Sequence, residues 1–303
     1  MDELPRQNGF LDGSRCEVTL SGGVSCHAAG HVTCDPSQEL VLSTFPGIDL
    51  LGRGFENVGF PVVLGPDLLW DRRIEDFHVP AGRFTGIIGG PPCQNYSDAN
   101  RTRNPAEGDR LVRHYLRIVA ESQCEWFVME NVRNVPDVAV PGYTVQRLDI
   151  TDAACGGKQR RLRHIQFGSR AGQIIRPART EGARSVTPAV LTRLASKHDR
   201  HSRRLARQSA PRLTLKALTS AARARGIGNA VPWLVAVTLA QAVAVRGPVT
   251  PSDCICGCGR ATKNGARHAG PACRKRMERR RKGLGRVVSW DPASAGVAMP
   301  SEP

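Results

Sequence analysis

Short apolar segments alternate with amphipathic ones along most of the chain. The apolar segments have the length and spacing of buried strands and lie at residues 40–45, 62–64, 86–88, 126–129, 143–148 and 164–167. Residues 109–122 instead carry apolar side chains at helical spacing, and a second helix is predicted from Pro232, at its first turn, to about Val245. This alternation of strands and helices predicts an α/β fold.

The chain has a strong excess of positive charge. Its 43 lysine and arginine residues outnumber its 27 aspartate and glutamate residues, which gives a net charge of +16 and a pI near 10.1. Such a balance points first to nucleic acid as a partner. No basic region followed by an apolar stretch opens the sequence, and no apolar run is long enough to cross a bilayer. We therefore expect a protein of the reducing cytoplasm without membrane contact, whose cysteines are catalytic, metal-bound or free.

Three groups with useful chemistry lie at predicted strand ends. Cys93 follows a Gly-Gly-Pro-Pro turn, where it is either a nucleophile or a buried structural thiol. Glu130 ends another strand and can exchange hydrogen bonds with a heterocycle, or simply be solvated. Arg161 and Arg163 share one face of an extended segment and either reach a crevice or form a surface charge cluster. Because α/β sheets bind ligands beyond the carboxyl ends of their strands, these groups are candidates for one site.

Five short motifs occur along the chain. They read FPGIDL at 45–50, GPPCQ at 90–94, ENV at 130–132, QRRLR at 159–163 and GNAVP at 228–232. In this order and spacing they resemble the cytosine-C5 DNA methyltransferase family, over roughly residues 40–246. The resemblance implies a Rossmann-like, doubly wound methyltransferase sheet, to which this chain adds a small irregular recognition region and a small zinc-binding tail.

The resemblance also implies a reaction. The Cys93 thiolate would attack C6 of a cytosine flipped out of double-stranded DNA, while Glu130 contacts N3 and the exocyclic amine and Arg163 contacts O2. C5 would then take a methyl group from S-adenosylmethionine. Pro92, Asn131 and Arg161 stand in the same motifs and are counted with the catalytic residues.

The family pattern further implies a site for S-adenosylmethionine. It places Phe45 against the adenine, Gly47 near the methionine end and Asp67 on the ribose hydroxyls. The full expected set is Phe45, Pro46, Gly47, Ile48, Asp49, Asp67, Leu68, Ile74, Pro91, Leu111, Asn229 and Val231. Asp49 and Leu50 replace usual glycines and Arg73 replaces an acidic residue, which leaves a modified or different cofactor open.

Double-stranded DNA is the expected partner, bound by a monomer. The residues expected to contact it are Gln94, Ser97, Arg101 and Arg103 after the nucleophile motif, and Arg274, Arg276, Arg279 and Arg280 in the tail. Too few residues lie between Gly168 and a faint further motif at 205–211 for a full target-recognition domain. We therefore expect relaxed or very short sequence specificity, in an enzyme associated with the nucleoid of a bacterial or phage-infected cell.

Two cysteine clusters suggest metal binding. Cys254, Cys256, Cys258, His268 and Cys273 can close a structural Zn²⁺ site, with one of them as a bystander because the spacing differs from paired C-x-x-C knuckles. A second site could be formed by Cys16, Cys26, His31 and Cys34. For that second cluster, free thiols on a flexible arm are the simpler account.

Breaks in the pattern divide the chain into six segments. These are a Cys/His-containing arm at 1–38, a catalytic and cofactor-binding domain at 39–169, a reduced DNA-recognition region at 170–225, the last motif with its helix at 226–247, a zinc-binding basic tail at 252–288, and a disordered end at 289–303. Two rival functions stay open. One is a related cytosine-modifying enzyme that acts on RNA or nucleotide or uses a modified cofactor, and the other is a non-catalytic zinc-dependent DNA-binding protein.

Overall fold

The fold is known from a computed structural model. It describes residues 35–98, 100–157, 159, 161–180, 230–263, 266–282 and 285–290. The N-terminal cluster of Cys16, Cys26, His31 and Cys34 lies outside the described residues, as do Asn229 and most of the predicted recognition region. The described residues comprise the predicted catalytic domain, its last helix and the C-terminal part.

A six-stranded sheet forms the centre of the described structure. Its strands are β1 (Val41–Thr44), β2 (Val62–Leu64), β3 (Gly86–Gly89), β4 (Trp126–Asn131), β6 (Thr144–Thr151) and β7 (Leu162–Ser169). They lie side by side in the order β2-β1-β3-β4-β7-β6. The first four run parallel, whereas β7 is antiparallel to both of its neighbours. Two further strands, β5 (Asp137–Ala139) and β8 (Val287–Ser289), pair in parallel as a small second sheet.

Helices cover both faces of the central sheet. Helices α1 (Leu50–Val58) and α3 (Trp233–Ala244) pack in one apolar cluster, and α2 (Pro105–Ser122) packs in the other. Successive strand residues alternate between the clusters: Val41 and Ile88 face α1 and α3, while Leu42 and Ile87 face α2. The predicted Rossmann-like, doubly wound fold is therefore confirmed.

Local sequence signals explain where the helices begin and end. Asn104 caps α2 and Pro105 occupies its first turn, so this helix starts four residues before the predicted position at 109. Asp49 caps α1 by accepting a hydrogen bond from the Gly52 amide at 3.1 Å. Helix α3 is apolar around most of its circumference, which fits its burial in the core, and Gln241 is its exposed polar residue. In the described part of the chain, no helix combines the length and the apolar character needed to cross a membrane.

A buried ion pair ties α3 to the start of the sheet. Arg246, only 2% exposed, donates to Glu39 at 3.0 Å, and Glu39 also accepts a hydrogen bond from the Trp126 indole at 2.7 Å. The Arg246 guanidinium lies 5.6 Å from the centre of the Trp126 ring. Since each buried charge here has a partner, the ends of β1, β4 and α3 are held together.

The C-terminal part is attached to the main domain, which contains the central sheet. Helix α4 (Pro271–Arg281) follows the cysteines, and β8 pairs with β5 of the main domain. Ser289 belongs to β8 and Trp290 packs on the apolar cluster that contains α2, so the predicted disordered end does not begin at 289. The tail is therefore docked on the main domain, which the sequence pattern did not indicate.

Candidate active site

Three strand ends converge at one edge of the sheet. The parallel strands β3 and β4 both end there, which brings Cys93 and Glu130 to that edge. Strand β7 runs in the opposite direction, so its beginning, with Arg163, lies at the same edge. The antiparallel direction of β7 is thus the reason that the arginine motif faces the glutamate motif.

Glu130 and Arg163 form a buried ion pair. The Glu130 Oε1 atom lies 2.5 Å from Arg163 Nε, and each side chain is 8% exposed. Arg163 also donates through Nη1 to the carbonyl of Leu162 at 2.9 Å. The pair holds a carboxylate and a guanidinium in fixed positions beside Cys93, where both can contact a planar polar ring.

The turn that carries Cys93 is braced by its neighbours. Asn131, fully buried, donates through its side-chain amide to the carbonyl of Pro91 at 3.0 Å. A β-carbon on Gly90 would lie 3.0 Å from Glu130 Oε2, so the absent side chain lets the turn approach the carboxylate closely. Asn131 therefore positions the nucleophile turn, while Pro92 lies in the turn itself.

Burial controls the acidity of both reactive groups. It raises the pKa of Cys93, and the negative charge of Glu130 raises it further, against the opposing effect of Arg163 and Arg161. Burial likewise raises the pKa of Glu130, and the same two arginines oppose the shift. The net effect on Cys93 is a raised pKa, which favours the protonated thiol at neutral pH.

A cavity of about 600 Å³ opens beside these groups. Ten of the twelve residues expected to bind the cofactor line it: Phe45, Pro46, Gly47, Ile48, Asp67, Leu68, Ile74, Pro91, Leu111 and Val231. Cys93, Pro92 and Glu130 line the same cavity. Asp49 does not, because its buried carboxylate caps α1 and accepts a hydrogen bond from Ser43 at 2.8 Å. A small molecule in this cavity would therefore share it with the candidate nucleophile.

Asp67 and Gly47 both line the cavity and are joined by a hydrogen bond. Asp67 accepts hydrogen bonds from the Gly47 amide at 2.8 Å and from the Leu69 amide at 2.7 Å. Gly47 has a φ of +58°, and a β-carbon there would meet no atom within 4 Å. Asp67 thus holds the first loop in place, and the space above Gly47 is open to a ligand.

The residues that follow β2 form part of the cavity wall, and they include more basic side chains than the family pattern predicts. Arg72, Arg73 and Glu75 line the cavity, and Glu75 forms an ion pair with Arg110 at 2.7 Å. Arg73, which stands where an acidic residue was expected, lies 3.6 Å from Glu75. This wall favours an anionic or strongly polar group at that end of a ligand.

A group of four buried cysteines can hold a metal ion. The sulfur atoms of Cys254, Cys256, Cys258 and Cys273 all lie within 4.8 Å of one another, and each residue is at most 4% exposed. Among the described residues, His268 is outside this group. The distances of 3.5 Å (Cys254 to Cys256) and 3.8 Å (Cys258 to Cys273) are near the ~3.8 Å between thiolates around tetrahedral zinc.

Hydrogen bonds to sulfur support this group. Arg260 donates to Cys258 at 3.4 Å and to Cys273 at 2.8 Å, and the Ala269 amide donates to Cys254 at 3.2 Å. Such donors stabilise thiolates around a metal. The role of Arg260 was missed from the sequence, where it is one arginine among many.

The residues expected to bind DNA fall into two regions. Gln94, Arg101 and Arg103 are exposed near Cys93 and Ser97 is partly buried there, with Arg103 paired to Asp98 at 2.8 Å. On α4, Arg274 and Arg279 are exposed, and the side chain of Arg280 lies outside the described residues. Arg276 instead donates to the Arg147 carbonyl at 3.2 Å and to Asp149 at 3.4 Å, so it holds α4 on the main domain.

Solved structures of two methyltransferases resemble parts of this chain. EhMeth of Entamoeba histolytica overlaps 68% of this chain and 98% of its own, with 11% identity and a TM-score of 0.45. Dnmt2 of S. pombe overlaps the same shares, with 10% identity and a TM-score of 0.44.

Sequence comparison identifies the family. Residues 70–216 match the family model described as C-5 cytosine-specific DNA methylase. This part of the chain has the sequence pattern of a cytosine-C5 DNA methylase domain. The matched residues include Cys93, Glu130 and Arg163, and the predicted family is thus confirmed.

Curated relatives of the methylase domain include bacterial type II methyltransferases. M.FnuDI of Fusobacterium nucleatum is 32% identical over 115 residues, which are 31% of this chain and 33% of that protein. M.NgoPII of Neisseria gonorrhoeae is 32% identical over 113 residues, which are 30% of this chain and 33% of that protein. The chain thus matches about a third of the length of these relatives.

Proposed function

We propose that the protein is a DNA (cytosine-5)-methyltransferase that uses S-adenosylmethionine. The observation that carries the proposal is the convergence of Cys93, Glu130 and Arg163 at one edge of the sheet, beside a cavity that can hold a cofactor. A nucleophile, a buried acid and a guanidinium are the three groups needed to activate a cytosine ring at C5. The proposed substrate is double-stranded DNA, which fits the net charge of +16.

In the first step the Cys93 thiol loses its proton to solvent, and the thiolate forms a bond with C6 of a flipped cytosine. Glu130 contacts N3 and the exocyclic amine and Arg163 contacts O2, so that the electron density pushed into the ring is stabilised as C5 becomes nucleophilic. After C5 has gained its methyl group, loss of the C5 proton to water expels the Cys93 thiolate and restores the aromatic ring. Arg161 lies close enough to lower the pKa of Cys93, so it assists thiolate formation.

The cavity fits S-adenosylmethionine by size and by chemistry. Its volume of about 600 Å³ lies within the range of cofactor pockets, of about 300–1,000 Å³. Phe45 and Leu111 offer apolar contacts to an adenine, and the open space above Gly47 admits a chain close to the backbone. The bound cofactor would supply an electrophilic methyl group. Arg73 lines the cavity at a position where the family pattern has an acidic residue.

We also propose that the four cysteines bind a structural Zn²⁺. Cys254, Cys256, Cys258 and Cys273 supply four sulfur atoms in a closed, buried arrangement, which is typical of structural rather than catalytic zinc. The exposed residues Arg274 and Arg279 of α4 would then contact DNA phosphates. We expect a monomer in the cytoplasm, associated with the nucleoid, and relaxed or very short sequence specificity.

The proposal is tested by nucleoside mass spectrometry. DNA is incubated with the protein and S-adenosylmethionine, beside a Cys93→Ala control, and is then digested to nucleosides. We expect 5-methylcytosine in the wild-type sample alone, because the variant cannot form the covalent bond to C6. Equal amounts in both samples, or none in either, would contradict the proposed reaction.

A further inference from the structure

The C-terminal end of the described chain contacts the region behind the nucleophile. Strand β8 adds to β5, which follows Glu130 and Asn131 along the chain. The register pairs Val288 with Val138, and the Asp137 amide donates to the Arg286 carbonyl at 3.0 Å. Val288, 4% exposed, lies in the same apolar cluster as Tyr96. A segment more than 150 residues from Cys93 in sequence is thus part of the packing around its loop.

Arg286 begins a chain of polar contacts that reaches Cys93. Its guanidinium forms an ion pair with Asp109 on α2. Asp109 accepts a hydrogen bond from the Tyr96 hydroxyl at 2.8 Å, and the Tyr96 amide donates to the Cys93 carbonyl at 3.0 Å. Asp109 is 14% exposed in its side chain and Tyr96 is 2% exposed overall, so both are held by their surroundings.

The position of Tyr96 leaves little freedom. Its ring packs on Gly108, where a β-carbon would lie 2.7 Å from the Tyr96 Cζ atom. The Tyr96 carbonyl accepts a hydrogen bond from the side chain of Asn134 at 3.1 Å. The ring, the hydroxyl and the backbone of Tyr96 thus each have a partner, and Tyr96 connects Asp109 with the turn that begins at Cys93.

Helix α4 provides a second attachment behind Arg163. Arg276 donates to Asp149, and Asp149 in turn contacts Nδ1 of the fully buried His164 at 2.6 Å. His164 directly follows Arg163 on β7 and pairs with Asn131 of β4. The C-terminal segment therefore has one contact behind the nucleophile loop and another behind the strand that carries the arginine.

We propose that Arg276 of α4 and residues 285–290 act as a brace that positions the catalytic groups, with Arg286 as the positioning residue for the Cys93 loop. Arg286 does not line the cavity. It acts by holding Asp109 toward Tyr96. The kinetic readout of this inference rests on the proposed methyltransferase function. The reactivity of the Cys93 thiol provides a second readout that does not depend on that function.

The test compares Arg286→Ala with Arg286→Lys and with Arg281→Ala, in the full-length protein. Arg281 is a matched control because it is exposed in the same segment and its loss changes the charge equally. We expect Arg286→Ala to lower kcat on the order of tenfold with little change in KM for S-adenosylmethionine, since misplacing a catalytic group acts on the chemical step. Arg286→Lys should restore most of the rate, and Arg281→Ala should match the wild type.

The second readout is the rate at which iodoacetamide alkylates Cys93, followed by mass spectrometry of its peptide. We expect this rate to change at least about threefold in Arg286→Ala and in Tyr96→Phe, which removes only the hydroxyl that contacts Asp109. Unchanged kcat and unchanged alkylation in Arg286→Ala would overturn the brace. A wild type that makes no 5-methylcytosine, but whose alkylation rate responds to Arg286→Ala, would instead refute the proposed reaction and leave the brace standing.

Discussion

At the scale of single residues, the reactive thiol is restrained by its neighbours. The buried carboxylate of Glu130 raises the pKa of Cys93, whereas Arg163 and Arg161 lower it. The same carboxylate forms the ion pair that keeps Arg163 in place. Glu130 therefore has two opposing effects in the proposed reaction, since it contacts the cytosine but also raises the pKa of the Cys93 thiol.

Replacing Glu130 by glutamine should separate these effects. Glu130→Gln removes the negative charge beside Cys93 and frees Arg163 from its partner, and both changes lower the pKa of the thiol. We expect Cys93 to be alkylated faster at neutral pH, with the midpoint of the pH–rate profile moved to lower pH, while methylation is lost. An unchanged or higher midpoint would show that the carboxylate does not control the thiol.

His164 predicts a loss of stability in acid. Burial lowers the pKa of His164 to about 4, from an ordinary value near 6.5, even though Asp149 opposes the shift. The folded protein thus binds fewer protons than the unfolded chain between these values, so stability is full above pH 6.5 and falls as the pH drops toward 4. The loss amounts to about 3 kcal/mol for a shift of this size.

Urea unfolding at several pH values measures this effect. The free energy of unfolding of His164→Gln should depend less on pH between 6.5 and 4 than that of the wild type, because glutamine has no proton to gain. The partner Asp149 contributes in the same direction, since its pKa is lowered in the folded state by contacts that include His164. Parallel pH profiles for the two proteins would contradict the buried neutral histidine.

At the scale of elements, the close contact between α1 and α3 depends on a glycine. A β-carbon on Gly54 would lie 2.5 Å from the Ala236 β-carbon and 2.8 Å from the Ala236 carbonyl carbon. Because backbone atoms cannot move aside as a flexible side chain can, the helices would have to separate. The small residues at this crossing thus allow α3 to pack closely against α1.

Gly54→Ala should therefore destabilise the protein by about 1–3 kcal/mol. This is opposite to the gain of up to about 1 kcal/mol expected from helix propensity alone. Urea unfolding provides the measurement, with Gly270→Ala as control, since a β-carbon on Gly270 meets no atom within 4 Å. A more stable Gly54→Ala variant would mean that the two helices can separate without loss of packing.

At the scale of the whole molecule, the C-terminal segment that carries the four cysteines is connected to the main domain at several points. This segment, the cysteine module, comprises residues 253–263, 266–282 and 285–290. Arg176 forms an ion pair with Asp253 at 2.5 Å, next to the first cysteine of the group. Helix α4 contacts β6 through Arg276, and β8 pairs with β5. A metal that stabilises the module should therefore also raise the stability of the main domain.

Metal removal tests this connection. We expect one zinc per chain by elemental mass spectrometry, lost in Cys256→Ala but kept in His268→Ala, because only the cysteine belongs to the buried group. Treatment with a chelator should make residues 253–290 sensitive to protease and lower the melting temperature of the whole protein. Zinc loss in both variants, or the same protease pattern with and without chelator, would contradict this assignment.

The order of strands and helices could be predicted from the sequence, because burial of one face of a strand or helix makes apolar residues recur at a regular local spacing. The α/β class, the strands around Cys93 and Glu130, and the position of α3 all followed from that signal. Helix α1 and strands β5 and β8 were missed. Helix α1 contains two glycines, which weaken its apolar periodicity. Strands β5 and β8 pair only with each other across a long stretch of chain, and no local periodicity records that contact.

The sequence by itself determined the fold class, the motifs that mark the methylase domain and the residues from which a metal site can be built. Only the tertiary structure decided that β7 runs antiparallel and so places Arg163 against Glu130. It also excluded His268 from the cysteine group and placed Arg286 against Asp109, 177 positions away in the chain. The physical reason is that local periods record which face of an element is buried, whereas contacts between distant residues depend on how the elements pack together.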